Sequence, residues 1–240
     1  MNILDSFKID NGVLLKYSGN QENIVIPYSV KEIHDNAFRN NQDIKKVDIP
    51  LSCEIIGDYA FFGCEVLEEV NIAYGVHTIG SYAFSDCYKL RRIIIPNSVT
   101  NYGDAIFMND VSLRKIDLPS TIQSIPASFF DGCIKLKEIS IPKDVKIINR
   151  YAFQGCIDLL RINIPLETRF IGDFTFHNCH SLKSVTINSR HISIQQYSFD
   201  YYNKKLKFKT KYNEMSLQIE EYQNKWQKGV NNWWKISEKF

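Results

Sequence analysis

IKKVDIPLSCEIIGDYAFFGCEVL, residues 44–67, decides the fold. Ile44, Val47 and Ile49 follow the spacing L-x-x-L-x-L, and Val47 and Ile49 alternate as one face of a short strand. Pro50 follows at once, and a proline without an N–H ends a sheet ladder. Ile56, Ala60, Phe61 and Cys64 then fall at i, i+4, i+5 and i+8, which predicts the apolar stripe of a short helical segment.

The same unit recurs along the chain. Phe38, Phe61, Phe84, Phe107, Phe130, Phe153, Phe176 and Phe199 are each 23 residues after the last. Leu67, Leu90, Leu113, Leu136, Leu159 and Leu182 keep the same register. Asp35, Asp58, Ser81, Asp104 and Asp173 stand where helix N-caps belong. Asn40, Gly63, Asp86, Asn109, Gly132, Gly155 and Asn178 stand where a left-handed residue would close the helix. A fixed period in the twenties means a solenoid, because one unit cannot bury its apolar face alone. The fold class is therefore an α/β solenoid, with one parallel sheet on one side and short helical segments on the opposite face.

The repeat resembles that of the BspA-type leucine-rich repeat family, with consensus L-x-x-V-x-I-P-x-S-V-x-x-I-G-x-x-A-F-x-G-C, over roughly residues 24–210. Where commoner leucine-rich repeats carry an asparagine or cysteine, this chain has Ser29, Ser52, Gly75, Ser98, Thr121, Asp144 and Glu167. A weaker hydroxyl ladder is expected to replace the asparagine one in part. Ala73, Tyr102, Ile106 and Asp110 depart from the consensus proline, aliphatic residue, alanine and cysteine, so the third and fourth units are expected to be the least regular. The resemblance implies adhesion or host-protein binding at a cell surface.

Residues 1–23 read as an N-terminal hairpin cap, because Asn11-Gly12 between alternating apolar residues is a strong type I′ turn signal. Residues 24–210 are the repeats. Leu206-Lys207-Phe208-Lys209 reads as a last, lysine-rich strand. Residues 211–240 read as a C-terminal helical cap and tail, with Met215, Ile219, Tyr222 and Trp226 on one helical face. Trp226, Trp233 and Trp234, all the tryptophans, lie in that tail.

Net charge is +2, from 29 basic and 27 acidic side chains, with no long basic run before the tail. Neither nucleic acid nor anionic membrane is implied as a partner. No apolar stretch approaches a membrane span. Met1-Asn2-Ile3-Leu4-Asp5 lacks the basic start and apolar core of a signal peptide, which predicts a cytoplasmic protein. The family resemblance implies the alternative, a secreted or surface protein.

Residues that could carry chemistry have structural readings. Cys64, Cys87, Cys133, Cys156 and Cys179 share one repeat position and read as a ladder of small buried groups. Stacked side chains point the same way, so disulfides between them are not expected. His177, Cys179 and His180 form a local cluster but offer too few convergent ligands for zinc. No hydrolase, P-loop or dinucleotide motif occurs, so neither an enzyme nor a cofactor is expected.

The remaining candidate is a surface. Between buried strand residues, the strands present Lys46, Asp48, Glu69, Asn71, Arg92, Ile94, Lys115, Asp117, Glu138, Ser140, Arg161, Asn163, Ser184 and Thr186 on the concave side. Both signs alternate and no aromatic platform is present, which suits another protein or peptide better than sugar or single-stranded nucleic acid. The first functional reading is a non-catalytic protein-interaction module. A structural or self-associating protein, joined through Trp233 and Trp234, is the second, and an enzyme the third.

Overall fold

The structure, a computed structural model, describes residues 6–195, 197–199, 206–210 and 212. Most repeats contribute one longer and one very short strand, and the repeat of residues 138–148 contributes only the short one. The longer ones are Asn23–Val25, Lys46–Ile49, Glu69–Ile72, Arg92–Ile94, Lys115–Asp117, Arg161–Ile164, Ser184–Ile187 and Lys207–Lys209. They pair in parallel at a constant offset: Val47 lies beside Val70, Val70 beside Ile93, and Val185 beside Phe208. The short ones run Glu32–Ile33, Ile55–Ile56, Thr78–Ile79, Asn101–Tyr102, Ser124–Ile125, Ile147–Ile148, Phe170–Ile171 and Ser193–Ile194. They form a second parallel series. Two series therefore replace the single sheet expected. The second was hidden because its one buried residue, such as Ile56 or Ile79, also fits the first turn of a helical stripe.

The expected helical segments are absent among the described residues. Alternate N–H groups of this stretch point along the stack: Tyr59 donates to Ser81 O at 2.9 Å, Phe61 to Ala83 O at 2.8 Å and Gly63 to Ser85 O at 2.9 Å. The groups between them close tight local turns, as in Phe62 N–H to Tyr59 O at 3.1 Å. An α-helix would aim every N–H four residues back along its own axis. The expected N-caps act across repeats as well. Asp35 Oδ1 accepts from Asp58 N–H, and Asp58 Oδ1 from Ser81 N–H, both at 2.7 Å.

Two left-handed residues per unit shape this turn. Asn40, Gly63, Asp86, Asn109, Gly132, Gly155 and Asn178 lie at φ between 57° and 75°, as their residue types predict. Tyr59, Tyr82, Ala105, Ser128, Tyr151, Phe174 and Tyr197 lie at φ 53° to 59°. Such a backbone costs a residue with a side chain roughly 1–2 kcal/mol. Stacking offsets part of this cost: Tyr59 on Tyr82 at 4.9 Å, Tyr151 on Phe174 at 5.3 Å and Phe174 on Tyr197 at 5.2 Å.

The core is continuous. The phenylalanine column from Phe38 to Phe199 is buried, as are the leucines from Leu67 to Leu182. Ring centroids in the column are 4.6 Å apart at Phe38–Phe61 and 5.9 and 5.8 Å apart at Phe84–Phe107 and Phe107–Phe130. The stack spreads where Ile106 and Phe129 take the place that alanine fills at Ala60, Ala83 and Ala152. The sheets break nearby. The short series stops after Asn101–Tyr102 and restarts at Ser124–Ile125. The long series stops after Lys115–Asp117 and restarts at Arg161–Ile164. Irregularity thus extends past the third and fourth units, because Phe129 overfills the repeat that follows them.

At the start of the stack, Phe7–Asp10 and Val13–Tyr17 form an antiparallel hairpin turning at Asn11 and Gly12, with φ of 47° and 83°. Val13–Tyr17 then pairs in parallel with Glu32–Ile33. Tyr17 extends the aromatic column, 5.3 Å from Phe38. The hydroxyl ladder is present in part: Ser52 donates to Val30 O at 2.9 Å, Ser98 to Val76 O at 2.7 Å and Thr121 to Val99 O at 3.2 Å.

All six cysteines are free and buried. The five register thiols donate to the carbonyls of Phe38, Phe61, Phe107, Phe130 and Phe153 at 3.1–3.3 Å. Burial pushes Cys53 up to about 11 and Cys64 to about 12, and raises Cys87, Cys133 and Cys156 well above the ordinary thiol value. The thiolate is the reactive form. Ellman's reagent is therefore expected to label native protein slowly and all six thiols at once after denaturation. Fast native labelling of several thiols would contradict the ladder.

Candidate functional site

Alternation along the longer strands sends Val47, Val70, Ile93, Ile116, Ile162 and Val185 into the core. The residues on either side face out, and the parallel register sets them in two columns. One runs Asn23, Lys46, Glu69, Arg92 and Lys115, and the other Val25, Asp48, Asn71, Ile94 and Asp117. Arg161, Asn163, Ser184 and Thr186 continue them beyond the break, paired with each other in the same register. Glu138 and Ser140 occupy the interrupted repeat and carry no strand. Trp233 and Trp234, and the whole expected segment 211–240 except Tyr212, lie outside the described residues.

The first repeats neutralise themselves. Lys45 meets Glu22 at 2.7 Å and Lys46 meets Glu69 at 2.9 Å. Asn71 Nδ2 donates to Asp48 Oδ1 at 2.6 Å and to Glu69 Oε1 at 3.1 Å. Donation from Lys46 and Asn71 holds the Glu69 carboxyl below its ordinary value, and the bond to Glu22 raises Lys45.

The middle repeats do not. Arg92 stands directly beside Lys115 in register. In the column just before the strands, Arg91, Arg114 and Lys137 follow one another at 23-residue steps. Arg91 reaches Glu68 only at 3.8 Å, and Lys115 reaches Asp117 at 3.6 Å. Arg92, Arg114 and Lys137 are exposed and close no ion pair among the described residues, although Arg92 stands in register beside Glu69 and its charge helps to hold that carboxyl down. The alternation of signs expected from the strand residues therefore fails here. The expectation took in two residues per strand and left out the flanking column, although Arg91, Arg114 and Lys137 sit at one repeat position. Ile94, half exposed at 51%, lies in the same zone.

Elsewhere the ligand-type residues do not converge. His177 packs edge-on against Phe174 at 5.5 Å, while Cys179 donates into the core. Among the described residues no three histidine, cysteine or acidic side chains gather as a metal group would need, and no helix is long and apolar enough to cross a membrane. One shallow depression of about 350 Å³ is lined by Asp104, Ala127, Asn149, Arg150, Phe170, Gly172 and Asp173. It lies where Ala127 interrupts the carboxylate ladder.

No curated protein matches the sequence significantly. The fold is similar to that of a leucine-rich repeat protein from Bacteroides ovatus, at 26% identity and a TM-score of 0.61, over 85% of this chain and 69% of that one. It is also similar to the leucine-rich repeat protein of T. pallidum, at 24% identity and a TM-score of 0.60, over 79% and 83% of the two chains. The pattern of the BspA type leucine rich repeat region matches in six copies, across residues 8–137 and 123–225. With that coverage and the 23-residue coil geometry, the chain belongs to the BspA-type leucine-rich repeat family.

Proposed function

We propose that this chain is a non-catalytic protein-binding module whose contact surface is the outward face of the longer strands. The observation that carries the reading is the pairing of a buried column, Val47 to Val185 with Ile139 alone partly exposed, with polar side chains held in fixed register one residue away. Solenoids present extended surfaces of this kind, and rigid side chains lose little freedom when a partner binds. The non-catalytic part is supported by the thiols, the strongest nucleophiles in the described chain, which are buried and hydrogen-bonded to carbonyls. The hairpin Phe7–Asp10 and Val13–Tyr17 serves in this reading as the N-terminal cap, covering Phe38 with Tyr17.

Capture by the immobilised chain, read by mass spectrometry, tests this. The paired variant Asp48→Arg with Asn163→Arg is expected to lose the captured protein and keep its melting temperature. Lys146→Glu, exposed beside the short strand Ile147–Ile148, is expected to retain it. Equal capture by all three proteins would remove the strand face from consideration.

A further inference from the structure

We propose that the zone formed by Arg91, Arg92, Arg114, Lys115 and Lys137 around Ile94 is the seat of an acidic, extended segment of a protein partner. The proposal rests on the strand face being the binding surface and names the chemistry of what binds there.

Geometry concentrates the charge. Arg92 and Lys115 are neighbours in register, and adjacent strands lie about 4.8 Å apart. Arg114 N–H donates to Arg91 O at 3.2 Å, so these two are neighbours as well. Like charges directly opposite on a sheet face repel. The N-terminal repeats avoid such repulsion with the pairs Glu22–Lys45 and Lys46–Glu69, and the next repeat past the zone does so with Glu138–Arg161 at 3.3 Å. On the face of the longer strands, cations stand side by side in register in the middle of the stack, Arg92 with Lys115 and Arg91 with Arg114. An incoming carboxylate would relieve that repulsion and gain two cations at once.

The dimensions suit a peptide. Arg91 and Lys137 are two repeats apart in sequence, which at strand spacing is roughly 10 Å. An extended chain rises about 3.3 Å per residue and turns every second side chain to the same face, so carboxylates at i, i+2 and i+4, spaced by about 7 Å, cover the same length. Ile94, 51% exposed between Asn71 and Asp117, offers an apolar contact beside that row of cations. A nucleic acid fits poorly. Its phosphate charge would continue past the zone onto Glu68 and Glu69 on one side and Glu138 on the other, and the face has no aromatic on which a base could stack.

Fluorescence anisotropy with a labelled peptide of alternating Glu and Val tests the proposal, with the Lys–Val peptide and a labelled oligo-dT as comparisons. The acidic peptide is expected to bind the full chain, and to bind less as salt rises. The double variant Arg92→Glu, Arg114→Glu is expected to weaken it about tenfold or more, the order set by losing and reversing several exposed pairs. Lys183→Glu, in the same column but beyond the zone, is expected to leave binding unchanged. Circular dichroism melts confirm that each variant is folded. Equal binding to wild type and double variant would overturn the proposal, as would oligo-dT binding more tightly than the acidic peptide. If the acidic peptide fails while the captured partner is still lost from the Asp48→Arg, Asn163→Arg variant, the acidic chemistry is wrong and the strand face stands.

Discussion

Phe130→Ala is expected to destabilise the fold by about 3–5 kcal/mol. Phe130 is fully buried at the centre of the aromatic column. It stacks on Phe107 at 5.8 Å and on Phe153 at 5.3 Å, and meets Phe129 edge-on at 4.8 Å. Its neighbours cannot close on the vacancy, because the chain on either side is tied across repeats. Phe130 N–H donates to Ala152 O at 2.8 Å, and its own carbonyl accepts from Cys156. In a stack where each unit touches only the next, a central void also weakens coupling between the two halves. The sheets already break close by, at Asn101–Tyr102 and Lys115–Asp117, so a broadened or split unfolding transition is expected as well. Urea titration followed by circular dichroism checks both effects. Tyr88→Ala, at a site 40% exposed, serves as the control with a small expected effect. A change below about 1 kcal/mol for Phe130→Ala would mean that the column is not the core.

The period alone made the stacking legible. Eight phenylalanines at constant spacing leave one way to bury them together, and the register of the longer strands, with Val47 beside Val70, follows from it. The local path between Pro50 and Leu67 was not legible in the same way. Ile56, Ala60, Phe61 and Cys64 point inward whether the chain coils as a helix or as successive turns, since both return to one face. What separates the two is where the N–H groups go, and that is decided by the neighbouring repeat. Tyr59 at φ 56° is the residue that breaks a helix here, and a tyrosine carries no sign of that backbone. Only its recurrence at Tyr82, Tyr151 and Tyr197 could have raised the question. The surface was half legible for a similar reason. Alternation identified the outward residues of each strand, but net charge is set by columns that cross strands. The concentration at Arg91, Arg114 and Lys137 appears only when the preceding position is stacked too.

Asp110 is the one register position where the cysteine ladder is replaced by a carboxyl, and it predicts how stability changes with pH. The side chain is completely buried. Oδ1 accepts from Cys87 N–H at 2.8 Å, while Oδ2 has no partner. In five other repeats a thiol at this place donates to the phenylalanine carbonyl 26 residues back, as Cys133 does to Phe107 O. The corresponding carbonyl for position 110 is that of Phe84. Burial pushes the Asp110 carboxyl well above its ordinary value, against the pull of the Cys87 N–H and with help from the Asp86 charge. The native state therefore holds a proton that the unfolded chain releases above about pH 4. The contribution is fully favourable below that pH. It declines as pH rises toward the raised value, at about 1.4 kcal/mol per pH unit for one proton. Asp131, pushed up to about 6 by partial burial, acts with the same sign but finishes near that pH. Wild-type stability is therefore expected to fall as pH rises above about 4, and the difference from Asp110→Asn isolates the Asp110 part. Asp110→Asn, nearly the same shape without the titration, is expected to flatten the curve. Asp110→Cys is expected to flatten it and to raise stability at pH 7 by about 1–3 kcal/mol, because the unpartnered oxygen is gone and the thiol donor is restored. Urea unfolding at several pH values measures all three. A wild-type slope that persists unchanged in Asp110→Asn would assign the pH dependence to another group and leave the buried carboxyl without a role in it.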